Sequence, residues 1–294
     1  MNKKLLIGFI GQGFVGKNLA DNFEERGYKI IRFPLDQEYK DNKDLISKCD
    51  IVFIAVPTPS TPKGFDYSII MKVLPIVGKG KIAVIKSTIL PGTTKKIQKK
   101  FKNIYVMHSP EFLTEANARY ETDNPERNII GITQDIPKYH NKAKTVMVVL
   151  PRAHYELICT SEEAEFVKYG GNNFLYSKIV FVNILHDYCV NMGADWDKVS
   201  SAMVHDPRIG RSHMKPLHKT SGKMGRGAGG HCFIKDFEAF LKGYRGASPK
   251  DRYGIKVLEF MRDKNLDLLV SSGKDMDLLH GVYGSNILKK NKKR

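Results

Sequence analysis

Short apolar runs alternate with amphipathic segments through the first half of the chain. Leu5–Ile10, Lys29–Phe33, Ile51–Val56, Ile82–Ile85, Tyr105–His108 and Ile129–Thr133 have the length and β-branched character of buried strands. Gly16–Arg26 and Tyr67–Val77 carry the wider spacing of amphipathic helices. Strands alternating with helices predict an α/β fold, a doubly wound parallel sheet covered on both faces, over residues 1–155.

The second half reads as helical. Thr160-Ser161-Glu162-Glu163 has the form of a capping box and opens an apolar-periodic helix running to about Met192, where Gly193-Ala194 stops it. A glycine-rich loop with Gly222, Gly225, Gly227, Gly229 and Gly230 follows, expected to be flexible. Beyond about Ser248 one helix, Tyr253–Lys264, stands out. The expected domains are a Rossmann unit over 1–155, a helical central or dimerisation domain over 156–247, and a short helical remnant with a basic tail over 248–294.

At 294 residues, two domains are the natural expectation. No apolar stretch reaches the ~18–20 residues needed to span a bilayer, so no membrane association is expected. The opening Met1–Lys4 and Leu5–Ile10 look superficially like a signal peptide. The run is cut by glycines with no small-residue cleavage site, which favours a first strand. Cys49, Cys159, Cys189 and Cys232 are widely spaced without a CxxC pair. That argues against a metal site or a disulfide scaffold and for a reducing, cytoplasmic setting. Five of the +17 net charges lie in the tail Lys289, Lys290, Lys292, Lys293 and Arg294, leaving +12 spread elsewhere. With no dense basic cluster beside aromatics, a lysine-rich surface is the simpler reading than a nucleic-acid partner. Such a field also suits anionic cofactors and substrates.

Three motifs carry chemistry. Gly11-Gln12-Gly13-Phe14-Val15-Gly16 is a G-x-G-x-x-G between a strand and a helix, where glycines let a pyrophosphate approach the helix N-terminus. Asp36 is the candidate acid for a ribose hydroxyl and favours NAD, while Arg32 is the alternative contact for the extra phosphate of NADP. Lys168 and Asn172, four apart on a helix and flanking Gly170-Gly171, could steady an oxyanion. In Gly229-Gly230-His231-Cys232-Phe233-Ile234-Lys235-Asp236, Cys232 is a candidate nucleophile. Lys235 and Lys168 are cations that would favour its thiolate, and Asp236 could orient a water. The other three cysteines sit in apolar surroundings and are expected to be inert.

From Lys4 to about Lys242 the chain resembles the UDP-glucose/GDP-mannose (nucleotide-sugar) dehydrogenases. The resemblance rests on the fingerprint, Val56-Pro57-Thr58-Pro59, Lys86-Ser87-Thr88 through Thr94, Ser109-Pro110-Glu111-Phe112-Leu113-Thr114-Glu115-Ala116, Pro125-Glu126-Arg127, the Lys168/Asn172 helix, Asp206-Pro207-Arg208-Ile209-Gly210 and the Cys232 segment. It implies a homodimer and a four-electron oxidation of a nucleotide sugar, UDP-glucose being the leading candidate, at the expense of two NAD. Cys232 would carry a thiohemiacetal and then a thioester. Lys168 and Asn172 would match the oxyanion pair, Asp236 and Thr88 the water-organising residues, and Glu111 the carboxylate of hydrolysis. Glu111, Phe112, Leu113, Glu115, Lys168, Asn172, Gly229 and Cys232 would line the substrate site, with Arg208 reaching it across a dimer contact. Pro57, Thr58, Ser87, Thr88, Glu115 and Lys235 would join the fingerprint and Asp36 at the cofactor.

Three departures from the family pattern stand out, one of them a short connection between the second and third strands. Family members continue into a third α/β domain that grips uridine diphosphate, so the resemblance implies a short form. His231 stands where the UDP-glucose enzymes often have serine, while the residues around it lean toward the glucose type. Competing readings are a single-oxidation β-hydroxyacid or 6-phosphogluconate-type dehydrogenase, which needs neither Cys232 nor Glu111, and a non-catalytic relative that retains cofactor or polyanion affinity.

Overall fold

The computed structural model describes residues 5–33, 42–62, 64–114, 117–220 and 223–284. The chain divides into two compact units. One comprises Met1–Pro59 with Asp66–Lys168, the other Ser60–Phe65 with Tyr169–Arg294.

In the first unit the order is β1 (Leu6–Ile10), α1 (Phe14–Glu25), β2 (Lys29–Phe33), the single turn α2 (Lys43–Ile46) and β3 (Ile51–Ile54). The short pair β4 (Ser60–Thr61) and β5 (Gly64–Phe65) belongs to the second unit. Then come α3 (Ser68–Val73), β6 (Ile82–Ile85), α4 (Thr93–Lys100), β7 (Tyr105–His108), α5 (Ala118–Asp123), β8 (Arg127–Ile132), α6 (Pro137–Val149), β9 (Tyr155–Thr160) and the start of α7 (Ser161–Asn191). The seven strands form one sheet in the order β2-β1-β3-β6-β7-β8-β9. Every residue of β3 and β6 is buried, as expected where helices cover both faces of a parallel sheet. The core gathers Phe9, Phe23 and Phe53 with Val84, Met107, Ile130 and Val146. The Phe9 and Phe53 rings stack at 5.5 Å and Phe23 meets Phe9 edge-on at 5.3 Å.

The sheet corrects two expectations. β7 and β8 pair antiparallel, through Met107↔Ile132 and His108↔Gly131, so the sheet is mostly rather than wholly parallel. β9 was not expected. It pairs parallel with β8 at the sheet edge, and its half-exposed residues lack the apolar run that marks the inner strands. The helix expected over Tyr67–Val77 shortens to α3, and Pro75 sits in a following 3₁₀ turn, Leu74–Ile76.

The second unit takes the rest of α7, α8 (Trp196–Met203), the antiparallel hairpin β10 (Leu217–Thr220) and β11 (Lys223–Arg226), α9 (Gly230–Ala247), α10 (Arg252–Ser271) and α11 (Met276–Tyr283). The capping box forms: Glu163 Oε2 accepts the Thr160 N–H at 2.8 Å while Thr160 Oγ1 accepts the Glu163 N–H at 3.4 Å. At the other end Gly193 takes φ +78°, and the N–H groups of Gly193 and Ala194 close on Val190 O and Cys189 O, which ends α7. The C-terminal segment holds two helices instead of one. Leu266 and Leu269 of α10 and Leu279 and Val282 of α11 form a core with Ile234 of α9. Among the described residues no helix is long and apolar enough to cross a membrane.

Candidate functional site

In the first unit the strand order reverses between β2-β1 and β1-β3, so a crevice opens at the carboxyl end of β1. The fingerprint occupies that position. Gly11 has φ +89°, and a Cβ there would lie 2.2 Å from Ala55 O; a Cβ on Gly16 would lie 2.0 Å from Gly11 O. Those two glycines let strand, turn and helix pack. Gly13 differs, because a Cβ there would meet nothing within 4 Å. Gly13 and Phe14 are exposed, Gln12 and Val15 partly so, and α1 begins at Phe14. A bare backbone at a helix N-terminus, open to solvent, fits a dinucleotide pyrophosphate. Arg32 is committed elsewhere. Its guanidinium lies 2.8 Å from Asp21 and 2.7 Å from Glu24 and donates to Gln12 Oε1 at 3.2 Å. It is not a free cation for a 2′-phosphate, which weighs against the NADP alternative. Asp36 lies outside the described residues.

The loops after β3 and β6 are tied together beside this turn. Ser87 Oγ accepts the Val56 N–H at 2.9 Å and donates to Val56 O at 2.7 Å, and Thr58 Oγ1 donates to Thr88 O at 2.8 Å. Thr58 and Ser87 are thus buried by bonds to backbone, Thr88 is half-buried and Pro57 is exposed. The far end of the β6 loop is held by a residue the sequence reading passed over. Glu165 of α7 accepts the Gly92 N–H at 2.5 Å, the Thr94 N–H at 2.8 Å and the Thr94 hydroxyl at 2.6 Å. It caps α4 from outside, since Gly92 has no side chain to do so. Burial pushes its carboxyl up to about 7, against the pull of those three donors.

A cavity of about 520 Å³ in the same unit is lined by Lys86, Glu111, Phe112, Leu113, Arg127 and neighbouring residues. Glu111 Oε2 lies 3.2 Å from the buried Lys86 ammonium and Oε1 accepts the Phe112 N–H at 2.8 Å. The Arg127 guanidinium sits 3.8 Å from the centre of the Phe112 ring, and Lys168 Nζ lies 5.7 Å from it. Two cations over an aromatic ring, with the Lys86–Glu111 pair in the same cavity, suit an anionic ligand. Lys86 and Arg127 lie in the motifs that carry the resemblance, and their positive charge is the signal in the sequence that points to this role. Glu115 lies outside the described residues.

In the second unit Cys232 is exposed in the first turn of α9. One turn on, Asp236 is buried. Its Oδ2 accepts the Asn172 amide at 2.6 Å and its Oδ1 the Lys235 ammonium at 2.7 Å. The 2.6 Å bond therefore brings together two residues expected at the site and orients the Asn172 amide. Gly229 is the buried N-cap of α9. Arg208 stays apart from this group. It is highly exposed and forks onto Asp206 at 2.6–3.1 Å, on a loop that Lys178 ties to α7 through Ile209 O and Gly210 O. The other cysteines differ from Cys232: burial pushes the Cys49 thiol up to about 12 and that of Cys159 up to about 11, and Cys189 is buried. The glycine-rich segment is no flexible loop where it is described. It is the β10–β11 hairpin and a turn packed under α10 and α11. Among the described residues no group of three His, Cys, Asp or Glu is placed to hold a metal.

Two models of one family match the chain. The NAD-binding domain of the UDP-glucose/GDP-mannose dehydrogenase family matches residues 35–147 and its central domain matches residues 162–265. The chain belongs to the UDP-glucose/GDP-mannose dehydrogenase family. Its cofactor is accordingly NAD, and the glycine turn that precedes the matched region has the backbone for it. UDP-glucose 6-dehydrogenase TuaD of Bacillus subtilis is 34% identical over 304 residues, which cover 88% of this chain and 62% of that protein. The chain therefore spans less than two thirds of that relative's length. A UDP-glucose dehydrogenase structure from Pyrobaculum islandicum superposes with a TM-score of 0.75 at 24% identity, covering 90% of this chain and 69% of the other. A 3-hydroxyisobutyrate dehydrogenase from Mycobacterium tuberculosis shares the fold at a TM-score of 0.70 and 12% identity, over 95% of this chain and 99% of that one.

Proposed function

We propose that the protein is a nucleotide-sugar 6-dehydrogenase that oxidises the C6 alcohol of UDP-glucose to a carboxylate, with NAD accepting the two hydrides. The exposed Cys232 at the head of α9, one turn from an Asp236 fixed by Asn172 and Lys235, carries this reading. A single alcohol oxidation needs no thiol. Carrying an aldehyde on to an acid needs a tetrahedral adduct that can lose a second hydride.

The first oxidation removes a hydride from C6 and a proton from its hydroxyl, leaving an aldehyde. Cys232 Sγ then forms a bond to the aldehyde carbon, and the former carbonyl oxygen takes up the thiol's proton to become the thiohemiacetal hydroxyl. Lys168 and Asn172 steady that oxygen while charge develops on it. Loss of the second hydride and the hydroxyl proton leaves a thioester. Water, organised by Asp236 and Thr88 with Glu111 as base, attacks the thioester carbon; the C–S bond breaks and the thiol regains its proton. Glu111, Phe112, Leu113, Glu115 and Gly229 line the sugar, and Pro57, Thr58, Ser87, Asp36 and Lys235 complete the cofactor site.

The active form is a homodimer. Phe174, Phe181, Ile184 and Tyr188 recur at helical spacing on α7 and are exposed, an aromatic face for a second copy to cover. Arg208 then reaches the partner's substrate from its exposed loop.

The test is to count NADH formed per UDP-glucose consumed, with wild-type protein and with Cys232→Ser. Two NADH per sugar for the wild type, and a variant that stalls with sugar retained in a mass spectrum, are expected. One NADH per substrate, or undiminished turnover by Cys232→Ser, would transfer the assignment to a single-oxidation hydroxyacid-type dehydrogenase.

A further inference from the structure

The backbone leading into α9 is held almost entirely by side chains from α10 and the turn that follows it. The Arg226 N–H donates to Ser272 Oγ at 3.1 Å. Gly227 O accepts from Lys274 Nζ at 3.1 Å. Ala228 is gripped on both sides by one amide, its N–H donating to Asn265 Oδ1 at 2.6 Å and its carbonyl accepting from Asn265 Nδ2 at 3.0 Å. The Gly230 N–H, in the first position of α9, donates to Asp275 Oδ2 at 2.8 Å, and the same oxygen accepts the Thr220 hydroxyl of β10 at 2.7 Å. Lys274 Nζ also lies 2.8 Å from His218 Nε2. The contact is too close for side chains: a Cβ on Gly225 would lie 2.8 Å from the Lys274 Cβ, and one on Gly229 would lie 2.0 Å from Asp275 Oδ2.

This arrangement is costly as mere packing. Lys274 is fully buried, and desolvation pulls its ammonium down to about 8. Burial likewise pulls His218 down to about 4, so its ring is neutral at pH 7 and available as an acceptor. Asp275 holds φ +52°, a left-handed backbone unusual for a residue other than glycine, and its Oδ1 is buried without a hydrogen-bond partner. Apolar residues of the same size would pack at lower cost. Strain and buried charge concentrated on one five-residue stretch point to a demand for position there. Cys232 lies two residues beyond Gly230.

We propose that Asn265, Lys274 and Asp275 are positioning residues that clamp Arg226–Gly230 and thereby set the place of Cys232 at the head of α9. The inference rests on the reading of Cys232 as nucleophile and extends the working machinery to α10 and α11. None of the three touches substrate; each acts through the backbone it holds. A misplacement of about 1 Å at a reacting group costs up to about a hundredfold in rate.

The test uses the full chain with UDP-glucose and NAD, and iodoacetamide as a probe of Cys232 that needs no substrate. Asp275→Gly accepts the left-handed backbone but removes the acceptor. It is expected to lower kcat by about tenfold or more with KM within about twofold, the signature of lost positioning. Asp275→Asn tolerates the same backbone and keeps an acceptor oxygen, so it should restore most of kcat. Lys274→Met replaces a buried ammonium with an apolar chain of similar length. Its kcat should fall while its unfolding midpoint stays level or rises, a separation a purely structural lysine would not show. Alkylation of Cys232 should slow in Asp275→Gly and Lys274→Met alike, because the helix end that presents its thiol is no longer held in place. Wild-type kcat and alkylation rates in these variants overturn the clamp. If Asp275→Gly does not fold, Lys274→Met decides. Full turnover by Cys232→Ser removes the nucleophile reading instead, and the alkylation rates still decide the clamp.

Discussion

Glu165→Gln isolates one buried carboxyl that spans two elements of the first unit. The wild-type side chain accepts from Gly92 N–H, Thr94 N–H and the Thr94 hydroxyl, and it is fully buried. Its folded-state carboxyl lies near 7, raised by burial from an ordinary 4.5. A raised acid binds its proton more tightly folded than unfolded. Its contribution is therefore fully present below 4.5 and is lost as pH rises through 7. At about 1.4 kcal/mol per pH unit, that window corresponds to about 3 kcal/mol. Glutamine has no such linkage. It offers one acceptor oxygen and sets an NH2 group against one of the three donors, a cost of about 1–3 kcal/mol. At pH 5 the variant should thus be less stable than wild type, and by pH 8 the difference should shrink to near zero or reverse. Urea unfolding at pH 5, 6, 7 and 8, with hydrogen exchange at the Gly92 and Thr94 amides, measures both terms. His108 opposes the wild-type slope, since burial and the nearby Lys86 pull it down to about 3, but it is common to both proteins and cancels in the difference. A wild type and a variant with the same pH slope would refute the reasoning.

Gly13→Val should leave the unfolding midpoint unchanged, because a Cβ there meets nothing within 4 Å, while NAD affinity by calorimetry falls about tenfold or more, ~1.4 kcal/mol. Phe174→Asp combined with Phe181→Asp, two exposed positions on α7, should convert a micromolar dimer to monomer by light scattering while far-UV circular dichroism is retained.

What the sequence disclosed depended on the range of the interaction. The α7 start was legible because both halves of its cap lie within Thr160–Glu163. The glycine turn was legible because its chemistry is contained in six residues after a strand. Cys232 and Asp236 were legible by their spacing of four after the glycines, and Asn172 by its spacing of four from Lys168 on a helix. Glu165 was not, since its partners lie 71–73 positions away and nothing in Ala-Glu-Phe distinguishes it from a solvated glutamate. β9 was missed because an edge strand buries too little to show an apolar run, and the antiparallel β7–β8 pair because register between strands leaves no local mark.

The glycines show that one residue type at one kind of position can have different causes. Gly13 and Gly229 both precede a helix, and the sequence offers both as places where a ligand comes close. A Cβ on Gly13 would point into open space, whereas one on Gly229 would collide with Asp275. The first glycine leaves room for something outside the protein, while the second has a packing reason of its own in the α10–α11 turn, whatever it also offers a ligand. A substitution distinguishes the causes: a side chain at Gly13 should cost cofactor and spare the fold, while one at Gly229 must displace Asp275 from the Gly230 amide. Flexibility is then the wrong property to infer from this glycine-rich stretch before Cys232. Here the missing side chains let Gly225 and Gly229 lie directly against Lys274 and Asp275, a few residues ahead of Cys232.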